Sequence, residues 1–298
     1  MLGNMIADMM IKPGQAPLFD DPAAYDLDYE NVEFETADGV TLRGWLIKGA
    51  SDKVIVQSHF GVQCCRAGWT TEGKGLMKGY DRDIKFLRQA KYLNEAGYTV
   101  LMYDLRGHGE SDVSPTRPWV TWGTDEARDV IAAVDFIAAH SKFKSANIGL
   151  LSICMGQGST AEAYGMENGL KSYHQIKAMV AVQPLDYGHF IDKLGLPGFL
   201  RRSGDKAIEK RTGMDFNTSS WLPHAKDIAV PTLVIQNRND AYLDEDFIAT
   251  YYDSLTVEKE MLWLDLPKEK AAFANRAAAY DWIGENPEKI LEWFGKHV

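Results

Sequence analysis

Residues 148–158, Ile-Gly-Leu-Leu-Ser-Ile-Cys-Met-Gly-Gln-Gly, limit what this chain can fold into more than any other stretch. An apolar run of strand character passes directly into a small-x-Cys-x-Gly turn, and a helical pattern follows from Thr160. Strand, sharp turn and helix in such close succession make the backbone double back on itself. Ser152 and Gly156 must then be small, because a larger group would clash with the crossing backbone. Cys154 stands at the apex, at a helix N-terminus, where N–H groups and the helix dipole favour a thiolate.

The remainder of the chain reads consistently with that turn. Val32–Ala37, Asp38-Gly39 and Val40–Ile47 spell an antiparallel hairpin, with apolar and polar residues alternating on both sides of a turn dipeptide. Continuous apolar strands then alternate with amphipathic helices. Lys53–Ser58 precedes a helix around Asp83–Ala96, Thr99–Asp104 precedes a helix over Asp125–His140, and Ile148–Ser152 precedes the helix after Cys154. Lys177–Val182, Thr232–Gln236 with a helix near Asp244–Leu255, and Met261–Asp265 continue the series, which ends in a helix from Pro287. Strands that are apolar on both sides require a mostly parallel sheet covered by helices on both faces. The rhythm breaks between about Leu185 and Val230. The expected organisation is an N-terminal arm (1–30), a core formed by 31–185 and 231–298, and a small inserted lid (186–230) over the carboxyl edge of the sheet.

With the turn placed, the chain resembles the α/β-hydrolase superfamily over roughly residues 30–298. Two further segments carry the resemblance. His59-Phe-Gly61 is similar to the family's His-Gly-x oxyanion segment, with Phe60 where Gly is usual. Asp104-Leu-Arg-Gly-His-Gly-Glu-Ser111 resembles the family's turn after the fourth strand. Cys at the apex, where Ser is common, resembles dienelactone hydrolases in that respect. The resemblance implies an α/β-hydrolase fold with an inserted cap and a hydrolase or acyltransferase acting on an ester, thioester or lactone. A non-hydrolytic member, binding a ligand or acting as a lyase or cyclase, is the alternative.

Cys154 is the candidate nucleophile and Asp240, in the turn after Thr232–Gln236, the candidate acid, with Asp244 its rival as either acid or helix N-cap. The resemblance implies an oxyanion hole from the backbone N–H groups of Met155 and of Gly61 or Phe60. The base is the difficulty. The family places a His after the last strand, and Leu264–Arg276 contains none. His59, beside the oxyanion segment, and His189 and His224, in or beside the lid, are the candidate bases or site-lining residues. A thiolate, unlike a serine hydroxyl, is nucleophilic without a base, so acylation is expected even from an incomplete triad, whereas deacylation is expected to be slow. Trp69, Trp119, Trp122 and Trp221 are candidates to line an apolar pocket.

The composition narrows the partners. The formal net charge is −10 and no basic cluster occurs, so neither nucleic acid nor an anionic membrane is an expected partner. No run approaches the roughly 18 apolar residues of a membrane span, and the N-terminus lacks the basic and apolar regions of a signal peptide. Three cysteines, two of them adjacent (Cys64 and Cys65), form no disulfide framework. A cytoplasmic protein acting on a small acyl substrate is expected, with homo-oligomerisation left open. The scattered His residues give no metal site and no cofactor is expected.

Overall fold

The computed structural model describes residues 2–61, 63–72 and 80–298. The hairpin expected from the sequence is present. β1 (Tyr29–Glu35) and β2 (Thr41–Ile47) pair antiparallel, and β2 joins them to the parallel strands. Those are β3 (Val54–Ser58), β6 (Thr99–Tyr103), β7 (Ile148–Ile153), β8 (Ile176–Val182), β9 (Thr232–Asn237) and β10 (Lys259–Leu264). Between β3 and β6, Gly68–Trp69 (β4) and Ile84–Lys85 (β5) make a separate two-stranded pair. The main sheet has eight strands in the order β1-β2-β6-β3-β7-β8-β9-β10. β3 and β7 are buried along their whole length, as their unbroken apolar character requires.

Helices cover both faces. α2 (Leu87–Glu95), α8 (Ala272–Glu285) and α9 (Glu288–His297) enclose one core with Trp45, Phe60, Tyr280 and Phe294. α3 (Ala127–Ala139), α4 (Met155–Gly165) and α7 (Glu245–Ser254) enclose the other with Leu101, Tyr103, Leu150 and Tyr251. The sheet order and the two helical layers are those of an α/β-hydrolase fold. β7 is the fifth strand of the main sheet in chain order, and Cys154 follows it directly.

Between β8 and β9 lie α5 (Tyr187–Lys193) and α6 (Gly198–Thr212). The first helix, α1 (Leu2–Ile11), packs on α6. Gly3 lies against Ser203 and Gly204 against Ile6, with no room for a Cβ at either glycine. Arg211 reaches Asp8 at 2.6 Å. These two helices and α5 share a third apolar cluster, built from Ile6, Met10, Tyr187, Phe190 and Ile208. The N-terminus, which the sequence reads as a short helix or arm, begins as a helix docked on α6. Leu264–Arg276, the segment after the last strand in which the resemblance places a His, is not loop throughout. The structure starts α8 at Ala272, and this places Arg276 on a helix.

Candidate active site

The backbone at Cys154 has φ 50° and ψ −106°, a conformation that L-residues rarely adopt. Local contacts impose it. The Cys154 N–H donates to the Val182 carbonyl at 2.8 Å, and the Cys154 carbonyl accepts from the N–H groups of Gln157 and Gly158 at 3.0 Å each. The chain is therefore held by the neighbouring strand on one side and by the first turn of α4 on the other. The tightness of the bend explains its small residues: a Cβ at Gly156 would sit 2.6 Å from the Ser58 carbonyl oxygen. Ser152 uses its hydroxyl to meet Thr160 at 2.9 Å across the bend. Cys154 retains 9% of its exposure, so it is neither free on the surface nor sealed within it.

The group beside the sulfur is Arg276, which the sequence reading did not single out. One nitrogen of its guanidinium lies 3.3 Å from Cys154 Sγ and also donates to the Gln183 carbonyl. The other donates to Asp240 Oδ2 at 2.5 Å. Asp240 and Arg276 have side chains 0% and 2% exposed. Sulfur, cation and carboxylate thus form one chain, with arginine in the place that a histidine base fills in a nucleophile–base–acid triad. Burial opposes the guanidinium charge, but the negative charges of Asp240 and Cys154 beside it outweigh this and hold the arginine well above its ordinary value. Tyr280 packs against the same group, its ring 5.7 Å from the guanidinium carbon. Burial pushes its phenol far up, so the hydroxyl keeps its proton.

Asp240 is anchored from below: its Oδ1 accepts the Tyr242 N–H at 2.9 Å, and Gln236 lies 3.4 Å from Oδ2. Asp244 instead caps α7, accepting the Phe247 N–H at 3.0 Å, and faces Lys193 at 3.4 Å. Of the two rivals, Asp240 is the one joined to the Cys154 cluster.

None of the three candidate histidines takes the place beside the sulfur. His59 is buried, with Nε2 accepting the Leu105 N–H at 3.0 Å and Nδ1 2.6 Å from the Phe60 carbonyl. Burial, then His108 and Arg66, push its imidazole down to about 3. It is a neutral strut between two loops. His189 faces Asp186 at 2.7 Å and packs on Phe247. His224 faces Asp227 at 3.3 Å and Glu162 at 3.8 Å. Arg276 is the charged side chain at Sγ, and the Tyr280 hydroxyl also hydrogen-bonds the sulfur. An alanine-rich segment, Ala271–Ala279, that carries one arginine was the available signal.

The two segments expected to frame an oxyanion meet. A Cβ at Gly61 would lie 2.5 Å from Met155 Sδ, so the loop after β3 abuts the first residue of α4. Met155 is at the N-terminal end of α4, where helix N–H groups have no intrahelical acceptor. Phe60 stacks on Tyr280 at 4.6 Å, which ties this loop to α8 and hence to Arg276.

The tryptophans are packing residues. Trp69 is buried beneath the loops, Trp221 donates to the Leu185 carbonyl, and Trp122 donates to the Met10 carbonyl. Trp119 carries Arg211 over its ring. Cys64 and Cys65 are buried thiols; burial raises both, and Cys65 is pushed up to about 12. Among the described residues, no His, Cys, Asp and Glu cluster is arranged to hold a metal ion, and no helix is long and apolar enough to cross a membrane.

Comparison with known proteins agrees with this architecture. A family model described as serine aminopeptidase, S33, matches residues 80–194, a segment that contains the Cys154 bend. The polyketide transferase grgF of a Penicillium species is 26% identical over 207 residues, covering 68% of this chain and 60% of that protein. A polyketide transferase of Gibberella fujikuroi is 26% identical over 232 residues, covering 69% and 64%. The chain therefore spans less than two thirds of the length of these relatives. Among solved structures, an esterase of Pyrococcus furiosus superposes with a TM-score of 0.68 at 22% identity over 96% of both chains. The α/β hydrolase GrgF of Penicillium gives 0.58 at 19% identity over 89% of this chain and 96% of that one.

Proposed function

We propose that this chain, a member of the α/β-hydrolase superfamily, handles acyl groups through a covalent Cys154 intermediate. The observation that carries the reading is the Cys154–Arg276–Asp240 chain at the apex of a strained strand-to-helix bend. A permanent cation lies 3.3 Å from the sulfur, where it complements the negative charge of the attacking group. The thiolate attacks the carbonyl of an ester, thioester or lactone. The backbone N–H groups of Met155 and Gly61 then stabilise the oxyanion, a contribution of about 3–4 kcal/mol per donor in well-formed holes. Asp240 fixes the guanidinium. Similarity to polyketide transferases and to an esterase supports acyl chemistry, with transfer to an acceptor or hydrolysis as its outcome.

The test is incubation with p-nitrophenyl butyrate, followed by intact-mass measurement and steady-state release of p-nitrophenol. A butyryl adduct on Cys154 is expected, lost in Cys154→Ala together with turnover. Unchanged turnover in Cys154→Ala rejects the assignment. The arginine in the base position favours a second reading, a pocket that binds its ligand without a covalent step. Ligand binding with no adduct would support it.

A further inference from the structure

A triad base does two jobs: it removes the nucleophile's proton, and it returns a proton to the leaving group. Arg276 does neither: it places a fixed positive charge 3.3 Å from the sulfur, and the thiol proton leaves to water. A guanidinium stays protonated throughout the accessible pH range, so it neither accepts nor gives up a proton during the reaction. Its geometry reinforces this, since Asp240 and the Gln183 carbonyl hold both of its terminal nitrogens. The Tyr280 hydroxyl also reaches the sulfur, but it is sealed within the core, where a phenolate is costly, so it donates a hydrogen bond and keeps its proton. Among the described residues, those at the sulfur are therefore arranged for charge and not for proton transfer.

We infer that the site selects acyl donors whose leaving group departs as a stable anion: thioesters and aryl esters in preference to alkyl esters. This rests on the acyl-handling role of Cys154 proposed above. In the step, the Sγ electron pair forms the S–C bond to the carbonyl carbon. The oxyanion collapses, the bond from carbon to the leaving sulfur or oxygen breaks, and its electron pair departs on a thiolate or phenolate. That anion takes its proton from water. Thiols near pKa 8.5 and phenols near 10 can leave in this way. An alkoxide is far more basic and leaves only when protonated, so the tetrahedral adduct of an alkyl ester reverts by expelling Cys154. Lost general-acid assistance typically costs about 10²–10⁴-fold in rate.

The experiment is a single-turnover series with wild-type protein, following the butyryl adduct on Cys154 by intact mass. The donors are p-nitrophenyl, phenyl and ethyl butyrate and the butyryl thioester of N-acetylcysteamine. The expected result is acylation by the thioester and both aryl esters, with ethyl butyrate about a hundredfold or more slower than phenyl butyrate. A smaller ratio overturns the inference while leaving the Cys154 nucleophile in place. No adduct from any donor removes the nucleophile and this inference together. Arg276→His supplies a second readout: a base that can also donate is expected to narrow the phenyl-to-ethyl ratio, and a ratio unchanged in a folded variant counts against the inference.

Discussion

Replacing Arg276 by Met tests the central cluster through stability, independently of any substrate. The guanidinium is buried and has three acceptors: Asp240 at 2.5 Å, the Gln183 carbonyl and Cys154 Sγ at 3.3 Å. Methionine fills much of its volume and satisfies none of them. The Asp240 carboxylate, itself fully buried, keeps only the Tyr242 N–H and a long contact to Gln236. Removing one partner of a buried ion pair costs about 3–5 kcal/mol, because the other charge is left uncompensated. Asp240→Asn should cost a comparable amount for the mirror-image reason. The double variant removes both charges, so its loss should fall short of the sum of the single losses by about 2 kcal/mol or more, within the range of contacting pairs. Urea denaturation at neutral pH under reducing conditions measures all three, with the slope checked for constancy. Additivity within about 0.5 kcal/mol, or a loss below about 1 kcal/mol for Arg276→Met, would show that the pair is not the buried ion pair described above.

Other consequences follow from single residues. The folded-state pKa of His59, about 3, lies below its unfolded value, so the unfolded chain takes up the proton first. Stability attributable to this residue is intact above about pH 6.5 and is lost as pH falls toward 3, by about 2 kcal/mol at pH 5. Comparing wild type with His59→Gln at pH 7 and pH 5 should show a smaller acid loss in the variant; equal losses would refute it. Gly156→Ala places a Cβ 2.6 Å from the backbone oxygen of Ser58 and should cost about 1–3 kcal/mol by urea denaturation. Gly61→Ala meets Met155 at Sδ (2.5 Å) and also at its fixed Cβ (3.2 Å), so it should cost about 1–3 kcal/mol. Acylation of Cys154 by p-nitrophenyl butyrate should also fall by about 10–100-fold if the Gly61 amide faces the oxyanion; an unchanged rate removes Gly61 from the hole.

The fold was legible because its signals are local. β3, β6, β7, β8 and β9 are apolar runs between turn residues, and Ser152, Gly156 and Gly158 mark the bend around Cys154. α8 was not legible for a physical reason. Its inward positions include Asn275, which holds Glu269 and Ala271, Arg276, which joins the cluster, and Asp281, which pairs with Arg88 and Tyr80, so no apolar stripe repeats along it. Arg276 was overlooked because arginine is ordinarily a surface residue. Only the meeting of α8, the β9 turn and the β7 bend shows that this one is enclosed. The three histidines show the converse. Each is of a type suited to proton transfer, and each is already engaged by a backbone group or a carboxylate.

The docking of α1 on α6 bears on the order in which the molecule assembles. Asp8 and Arg211, joined across that contact, are 203 residues apart in the chain. Closing a loop of this length costs about 5 kcal/mol of chain entropy if nothing in between is ordered. The sheet must therefore form first and bring the two helices within reach, which makes this clasp a late event in folding. By the same reasoning it should be an early one in unfolding, so amide protons of residues 2–11 should exchange well before those of β3 and β7.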